Sequence, residues 1–271
     1  MLRAARDRRA LVAVGIALAV VPAGCGSSTT GSSQAATHAA RSASTSSSAT
    51  GATGAAPTVL AAASLTKVFP QIDPNAKYTF GGSGALETDI EQGAPADVFA
   101  AASPKQPAAL RAKGLVDKPV EFATNTLVLI VPKDNPAHIT SVSDITKPGV
   151  KLVICDATVP CGDYARHAFE NLGIASAAMK NVVSQTTDVT QTVAEVALGQ
   201  ADAGFVYITD ADAARGKVIP IHLPAQAKPG AKDYIAVVKS APHPAAARAF
   251  VATIMSSAGQ AKLRAAGFGA P

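Results

Sequence analysis

The chain has 271 residues, a formal net charge of +5, 48% hydrophobic residues, 4% aromatic residues and no tryptophan. Arg3, Arg6, Arg8, Arg9 and Asp7 together carry +3 of that charge, so a chain cut after Gly24 keeps only +2. With no basic run and no interleaved aromatics to stack bases, nucleic-acid binding is disfavoured.

Residues 1 to 25 read as an export signal: a basic start, the apolar run Ala10 to Val21, then the small residues Ala23 and Gly24. The run is shorter than the about 20 residues a membrane span requires. Cleavage before Cys25 resembles bacterial lipoprotein processing, with Val21-Pro-Ala-Gly-Cys25 in the place of a lipobox and Cys25 taking the lipid. Pro22 stands where that motif usually has leucine. The other reading is an ordinary signal peptide with a stray cysteine. On the lipobox reading the protein is exported and lipid-anchored to the cell membrane on its extracytoplasmic face. Residues 26 to 56 are almost entirely Ser, Ala, Thr and Gly without periodicity. Such a stretch buries too little apolar surface to offset its ordering entropy. It reads as a disordered tether with a reach on the order of 30 Å.

From Pro57 onward, about 215 residues suit one large domain or two lobes. Strands are expected at Thr58–Ala62, Tyr78–Phe80, Asp97–Ala101, Thr126–Val131, Lys151–Cys155, Ala203–Tyr207, Lys217–Ile221 and Tyr234–Val238. Between them lie helical spacings such as Ala165, Ala168, Phe169, Leu172 and Val189, Val193, Val196, Ala197. The alternation predicts an α/β fold with mostly parallel, buried sheets flanked by helices. Two extended connections, Val120 to Val131 and Ala231 to Lys239, read as hinge crossings between lobes. They put residues 57–122 and 232–271 in lobe I and 123–231 in lobe II, the architecture of a binding protein that closes on a cleft.

In open α/β sheets, ligands sit at the carboxyl ends of strands, where helices begin. Ser64 and Ser83 are placed that way, each after an apolar run, and a helix start offers unpaired N–H groups and the positive end of a dipole to an anion. Taken alone, each serine reads first as a plain helix N-cap, and Gly81, Gly82 and Gly84 as a tight turn; the set carries the functional reading. Further helix starts fall at Val159-Pro-Cys-Gly-Asp-Tyr164, with Asp163 in a first turn, and at Thr186-Thr-Asp-Val-Thr190, with Asp188 as N-cap. Tyr207 ends an apolar run and either presents its hydroxyl to a cleft or is half-buried at a strand end.

Gly81-Gly-Ser-Gly-Ala85 is one residue away from a Gly-x-Ser-x-Gly nucleophile elbow, and Asp202 or Asp210 with His222 or His243 would supply the order Ser, Asp, His of a secreted serine hydrolase. No His-Gly-Gly segment precedes it, and neither histidine has a flanking motif, so the chain reads as a non-enzyme. The same run lacks the Gly-Lys-Ser/Thr ending of a phosphate-binding loop. His38, His138, His167, His222 and His243 are scattered, and none pairs at metal-ligand spacing. Cys155 and Cys161, with five residues between them in an exported chain, read most simply as a disulfide worth on the order of 2 kcal/mol, or else as two free buried thiols.

Taken in order, Ala61-Ala-Ala-Ser-Leu-Thr66, Phe80-Gly-Gly-Ser-Gly-Ala-Leu86, Ile90-Glu-Gln-Gly-Ala-Pro-Ala-Asp-Val-Phe-Ala100, Val159-Pro-Cys-Gly162 and Ala201-Asp-Ala-Gly-Phe-Val-Tyr207 closely resemble the molybdate-binding proteins of bacterial ABC importers. The resemblance spans residues 58 to 268. It implies a two-lobed periplasmic-binding fold of the type II kind that holds a tetrahedral oxyanion through neutral donors. Carried over residue by residue, it assigns hydroxyl and N–H donors to Ser64 and Ser83, backbone N–H donors to Cys161 and Val189, and a phenol to Tyr207. It also implies a monomer that hands its ligand to a membrane permease driven by a cytoplasmic ATPase, with no cofactor and no cation ligands. Pro70 and Pro74 interrupt the stretch after Ser64, where that family runs several helical residues longer, and Cys161 replaces a small residue. A dianion wants donors only, since an ionised carboxylate aimed at it would repel it. Molybdate and tungstate, near in size, are both expected to bind, with sulfate and phosphate rejected. The alternative is a site for another oxyanion such as sulfate or phosphate.

Overall fold

The computed structural model describes residues 54–228 and 230–271; the export signal, Cys25 and nearly all of the tether lie outside the described residues. Three strand-to-helix steps come first: β1 (Thr58–Ala62) into a 3-10 turn (Ala63–Leu65) and α1 (Phe69–Ile72), β2 (Lys77–Gly81) into α2 (Ser83–Glu91), and β3 (Val98–Ala101) into α3 (Lys105–Ala112). The long strand β4 (Val120–Pro132) leads to β5 (Leu152–Cys155), α4 (Pro160–Asn171), α5 (Ala175–Lys180), β6 (Val182–Thr186) and α6 (Val189–Ala197). Then follow β7 (Ala203–Tyr207), α7 (Ile208–Ala213), β8 (Val218–His222), β9 (Gly230–Val237), α8 (Pro244–Met255) and α9 (Ser257–Ala265).

The strands form one hydrogen-bonded path, β2-β1-β3-β9-β4-β7-β5-β6, with β8 on the other side of β4. The parallel pairs are β1 with β2 and β3, and β5 with β6 and β7, as βαβ alternation requires. Every antiparallel pair involves β4 or β9. The sheet is therefore mixed where mostly parallel pairing was expected. The difference has one cause: β4 and β9 carry the chain out of the first βαβ group and back. Both run longer than the apolar pattern suggests, starting at Val120 and Gly230 instead of Thr126 and Tyr234. The added segments pair with each other, Val120 to Thr126 against Ile235 to Gly230, through a register shift at Phe122. From Leu127 onward β4 turns to β7 and β8.

Alternation along β1 and β3 sends Val59, Ala61, Val98 and Ala100 into the main core and Leu60 and Phe99 into a second core beneath α2 and α3, with Leu86, Ile90 and Leu110. Both faces are buried, which explains why these strands read as continuous apolar runs. The shortened first helix is closed off by aromatics. Phe69 of α1 packs on Phe122 of β4 at 5.8 Å and on Phe250 of α8 at 5.6 Å between ring centroids. Pro70 sits in the first turn of α1, where its missing N–H has no intrahelical partner to lose. Asp97, fully buried just before β3, accepts from the N–H of Thr58 at 2.8 Å and of His243 at 2.6 Å, and so ties β1 to the start of α8. Burial opposes its ionisation, but those N–H groups and the His243 ring outweigh burial and hold its pKa below the usual value.

Candidate functional site

Five strand ends run into helical turns that meet at one small cavity. Ser64 lies in the 3-10 turn after β1, Ser83 is the first residue of α2, Cys161 the second of α4, Val189 the first of α6, and Tyr207 the last of β7. All five line that cavity, so the structure brings together every ligand-site residue expected from sequence. Neither serine serves as an N-cap. Gly82 occupies that position for α2, and Ser83 Oγ instead accepts from the N–H of Ala102 at 3.2 Å. Ser64 sits inside a turn whose N-cap is Ala62. Asp188 does cap α6, its Oδ1 accepting from the N–H of Gln191 at 3.0 Å.

The hydrogen-bond donors around the cavity are neutral. Ser64 Oγ and Tyr207 Oη are buried without a hydrogen-bond partner, a condition that costs about 1–3 kcal/mol per group. Burial, reinforced by the nearby Asp233, raises the Tyr207 pKa well above its ordinary value, so the phenol keeps its proton and donates. The amides of Ser83, Cys161 and Val189 lie in first helical turns, where N–H groups have no intrahelical acceptor, and each helix adds a partial positive charge. The lining holds no lysine, arginine or histidine; its one acidic residue, Asp188, has a carboxylate oxygen engaged in capping α6. A site of this composition suits an anion whose oxygens accept hydrogen bonds.

Behind the lining, Cys155 and Cys161 are joined by a disulfide that closes the loop between β5 and α4. Arg166 fastens the same helix, donating to the carbonyls of Cys155 at 3.0 Å and Gly162 at 2.9 Å and to Gln185 Oε1 at 2.6 Å. The hydroxyl of Thr186 donates to the carbonyl of Asp188 at 3.1 Å and shares a 2.6 Å bond with Thr192, which fixes the turn into Val189.

Two carboxyl groups lie near Tyr207: Asp233, which sequence reasoning missed, and Asp210, which it considered only as a hydrolase acid. Asp233 of β9 is 1% exposed and neither carboxyl oxygen has a partner; burial, reinforced by Asp210, pushes its pKa well up. The strand alternation of β9, with Ala231, Asp233 and Ile235 inward, is the signal that would have found it. Asp210 accepts from the N–H of Tyr207 at 3.1 Å, and burial raises its pKa from 3.8 to about 7.

The hydrolase arrangement is not assembled. His243 is bound to Asp97 at the opposite end of β3 from Ala102, the neighbour of Ser83. His222 borders a separate pocket. Among the described residues no cluster of His, Cys, Asp or Glu is arranged to hold a metal ion, and no helix is long and apolar enough to cross a membrane.

Residues 57–269 match the family model described as bacterial extracellular solute-binding protein. The molybdate-binding protein ModA of Mycobacterium tuberculosis is 37% identical over 274 residues, covering 96% of this chain and 98% of that protein. Two solved structures share the fold. The periplasmic molybdate-binding protein of Azotobacter vinelandii has a TM-score of 0.70 at 23% identity, over 79% of this chain and 99% of that one. The sulfate-binding protein SubI of Mycobacterium tuberculosis has a TM-score of 0.66 at 18% identity, over 79% and 86%. Solute-binding proteins of this two-lobed α/β fold capture ligands and catalyse no reaction. The chain belongs to the bacterial extracellular solute-binding protein family.

Proposed function

We propose that this protein captures molybdate, and tungstate as well, in the cavity between two lobes and delivers it to the membrane permease of an ABC importer. The lobes of this reading are residues 57–122 with 232–271, and 123–231, with β4 and β9 as the crossings. Ser64 and Ser83 donate from the first lobe and the amides of Cys161 and Val189 with the phenol of Tyr207 from the second. The observation that carries the reading is the pair of buried, unpartnered hydroxyls of Ser64 and Tyr207 on one cavity whose remaining donors are neutral. A tetrahedral dianion satisfies those hydroxyls without adding a protein charge. The kinship with a molybdate-binding relative along nearly the whole chain supports that choice of anion. Thermal unfolding of the purified protein tests it: molybdate and tungstate should raise the Tm and sulfate should not. No shift with either metal oxyanion contradicts it.

In the same reading the protein acts as a monomer held to the outer face of the membrane by lipid on Cys25, with residues 26 to 56 as tether. Fatty-acid labelling in cells, lost in Cys25→Ser, is the expected result. Labelling that persists in that variant contradicts the anchor.

A further inference from the structure

The run Gly81-Gly-Ser-Gly84 reads from sequence as a tight turn, yet its glycines are not there for backbone freedom. The positive-φ glycines among the described residues are Gly93, Gly114, Gly149, Gly173, Gly199, Gly216 and Gly267, and the φ of Gly82 is −65°. What Gly82 and Gly84 supply is the lack of a side chain. A Cβ on Gly82 would lie 2.3 Å from the carbonyl oxygen of Thr187, and one on Gly84 would lie 2.5 Å from that of Thr158. Both obstacles are main chain, so neither yields by a rotamer change.

Thr158 and Thr187 stand in the β5–α4 and β6–α6 loops, directly ahead of Val159 and Asp188 of the cavity lining. The two glycines flank Ser83 on the other side of the cavity. The carbonyl of Thr158 accepts from Gln106 Nε2 at 3.4 Å, and the Gln106 side chain is itself fixed by Ser103 Oγ donating to its Oε1 at 2.5 Å.

We propose that Gly82 and Gly84 are positioning residues that set how far the cleft closes: backbone seats on the first lobe receive the Thr158 and Thr187 carbonyls, and that spacing brings the Cys161 and Val189 amides onto a ligand held by Ser83. The proposal rests on the binding reading above and adds the element that makes the two halves of the site act together. A methyl group at Gly84 props the Thr158 loop away from Ser83 while removing no donor. The closed state becomes less populated, and the apparent affinity falls with it. Because the ligand still meets Ser64 and Ser83 in the open cleft, the loss appears in the dissociation rate.

Calorimetry, stopped-flow dissociation and small-angle scattering with molybdate test this on wild type and Gly84→Ala. Gly84→Ala should bind about tenfold or more weakly, release ligand faster and contract less on binding, with a ligand-free Tm near that of wild type. Should Gly84→Ala melt early, Gln106→Ala, which frees the same carbonyl, is expected to release molybdate faster without touching the seat itself. Wild-type dissociation and full contraction in Gly84→Ala, or in Gln106→Ala where that variant stands in, overturn the inference. Wild type that binds no molybdate overturns the reading of function instead, so the two failures are distinguishable.

Discussion

The two sides of the cavity present donors by different means. On one side Ser64 and Ser83 offer hydroxyls on turns that follow β1 and β2; on the other, Cys161 and Val189 offer main-chain N–H groups from the first turns of α4 and α6, beside the phenol of Tyr207. The first kind of donor depends on the identity of the side chain. The second depends on where the chain turns, and on what holds the turn. A site divided this way should respond to mutation unevenly, and that unevenness is measurable.

The largest effect is expected from the hydroxyls. Ser64→Ala, Ser83→Ala and Tyr207→Phe should each weaken molybdate binding by about 1.5–3 kcal/mol, the range for a hydrogen bond to a charged group. Ser64→Ala and Tyr207→Phe also remove a buried hydroxyl that has no protein partner. Their ligand-free Tm should therefore hold or rise while affinity falls, the pattern of a group kept for function at a cost in stability. Affinity and stability falling together in both variants would assign these hydroxyls to packing.

Next comes the disulfide that fixes the Cys161 turn. Replacing Cys155 and Cys161 by serine removes a short closed loop worth on the order of 2 kcal/mol, which for a domain of this size lowers the Tm by about 4–8 °C. Affinity should fall as well, because the amide of residue 161 loses its fixed position. An unchanged affinity would mean that Arg166 alone holds α4 against β5.

A smaller effect concerns pH. The carboxyl of Asp210, raised from 3.8 to about 7 chiefly by burial, favours the protonated folded state. Its contribution to stability is fully present below its unfolded pKa and is lost as pH rises through the folded value. Asp210→Asn keeps an acceptor for the N–H of Tyr207 and removes the titration, so between about pH 4 and 8 its Tm should decline less than that of wild type. Parallel curves for the two proteins would contradict this. The smallest effect belongs to Val189→Ala, which leaves the amide in place and should leave affinity essentially unchanged; a loss as large as that of Ser83→Ala would erase the distinction between the two sides.

That distinction also explains what was readable in the sequence. β1 and β7 were legible to the residue because both faces of each are buried, leaving continuous apolar runs between Gly, Ser and Asp signals. β6 was not, since Val182-Val-Ser-Gln-Thr186 is a half-exposed edge strand whose outward positions are Val183 and Gln185, which leaves no apolar alternation to read. The first halves of β4 and β9 read as extended crossings but not as strands for a related reason: they carry Glu121 and Lys232, whose charged ends pair at 2.9 Å on an exposed face. In the site, Ser64, Ser83 and Tyr207 announced themselves as hydroxyls at strand ends. Cys161 and Val189 were marked only as parts of two helix starts, because an amide donor leaves no mark on residue identity, and the family resemblance singled out the residues themselves. Asp233 was overlooked because a lone acid in an apolar strand reads as a surface residue until the alternation is counted.

The central claim is that neutral donors from both sides enclose one tetrahedral oxyanion. Calorimetric titration of the purified protein with molybdate, tungstate, sulfate and phosphate, run beside Ser83→Ala, tests it most directly. The account predicts one-to-one binding of the first two, none of the last two at the same concentrations, and a clear weakening in the variant. Sulfate or phosphate binding more tightly than molybdate, or a Ser83→Ala protein that binds molybdate as wild type does, would contradict it.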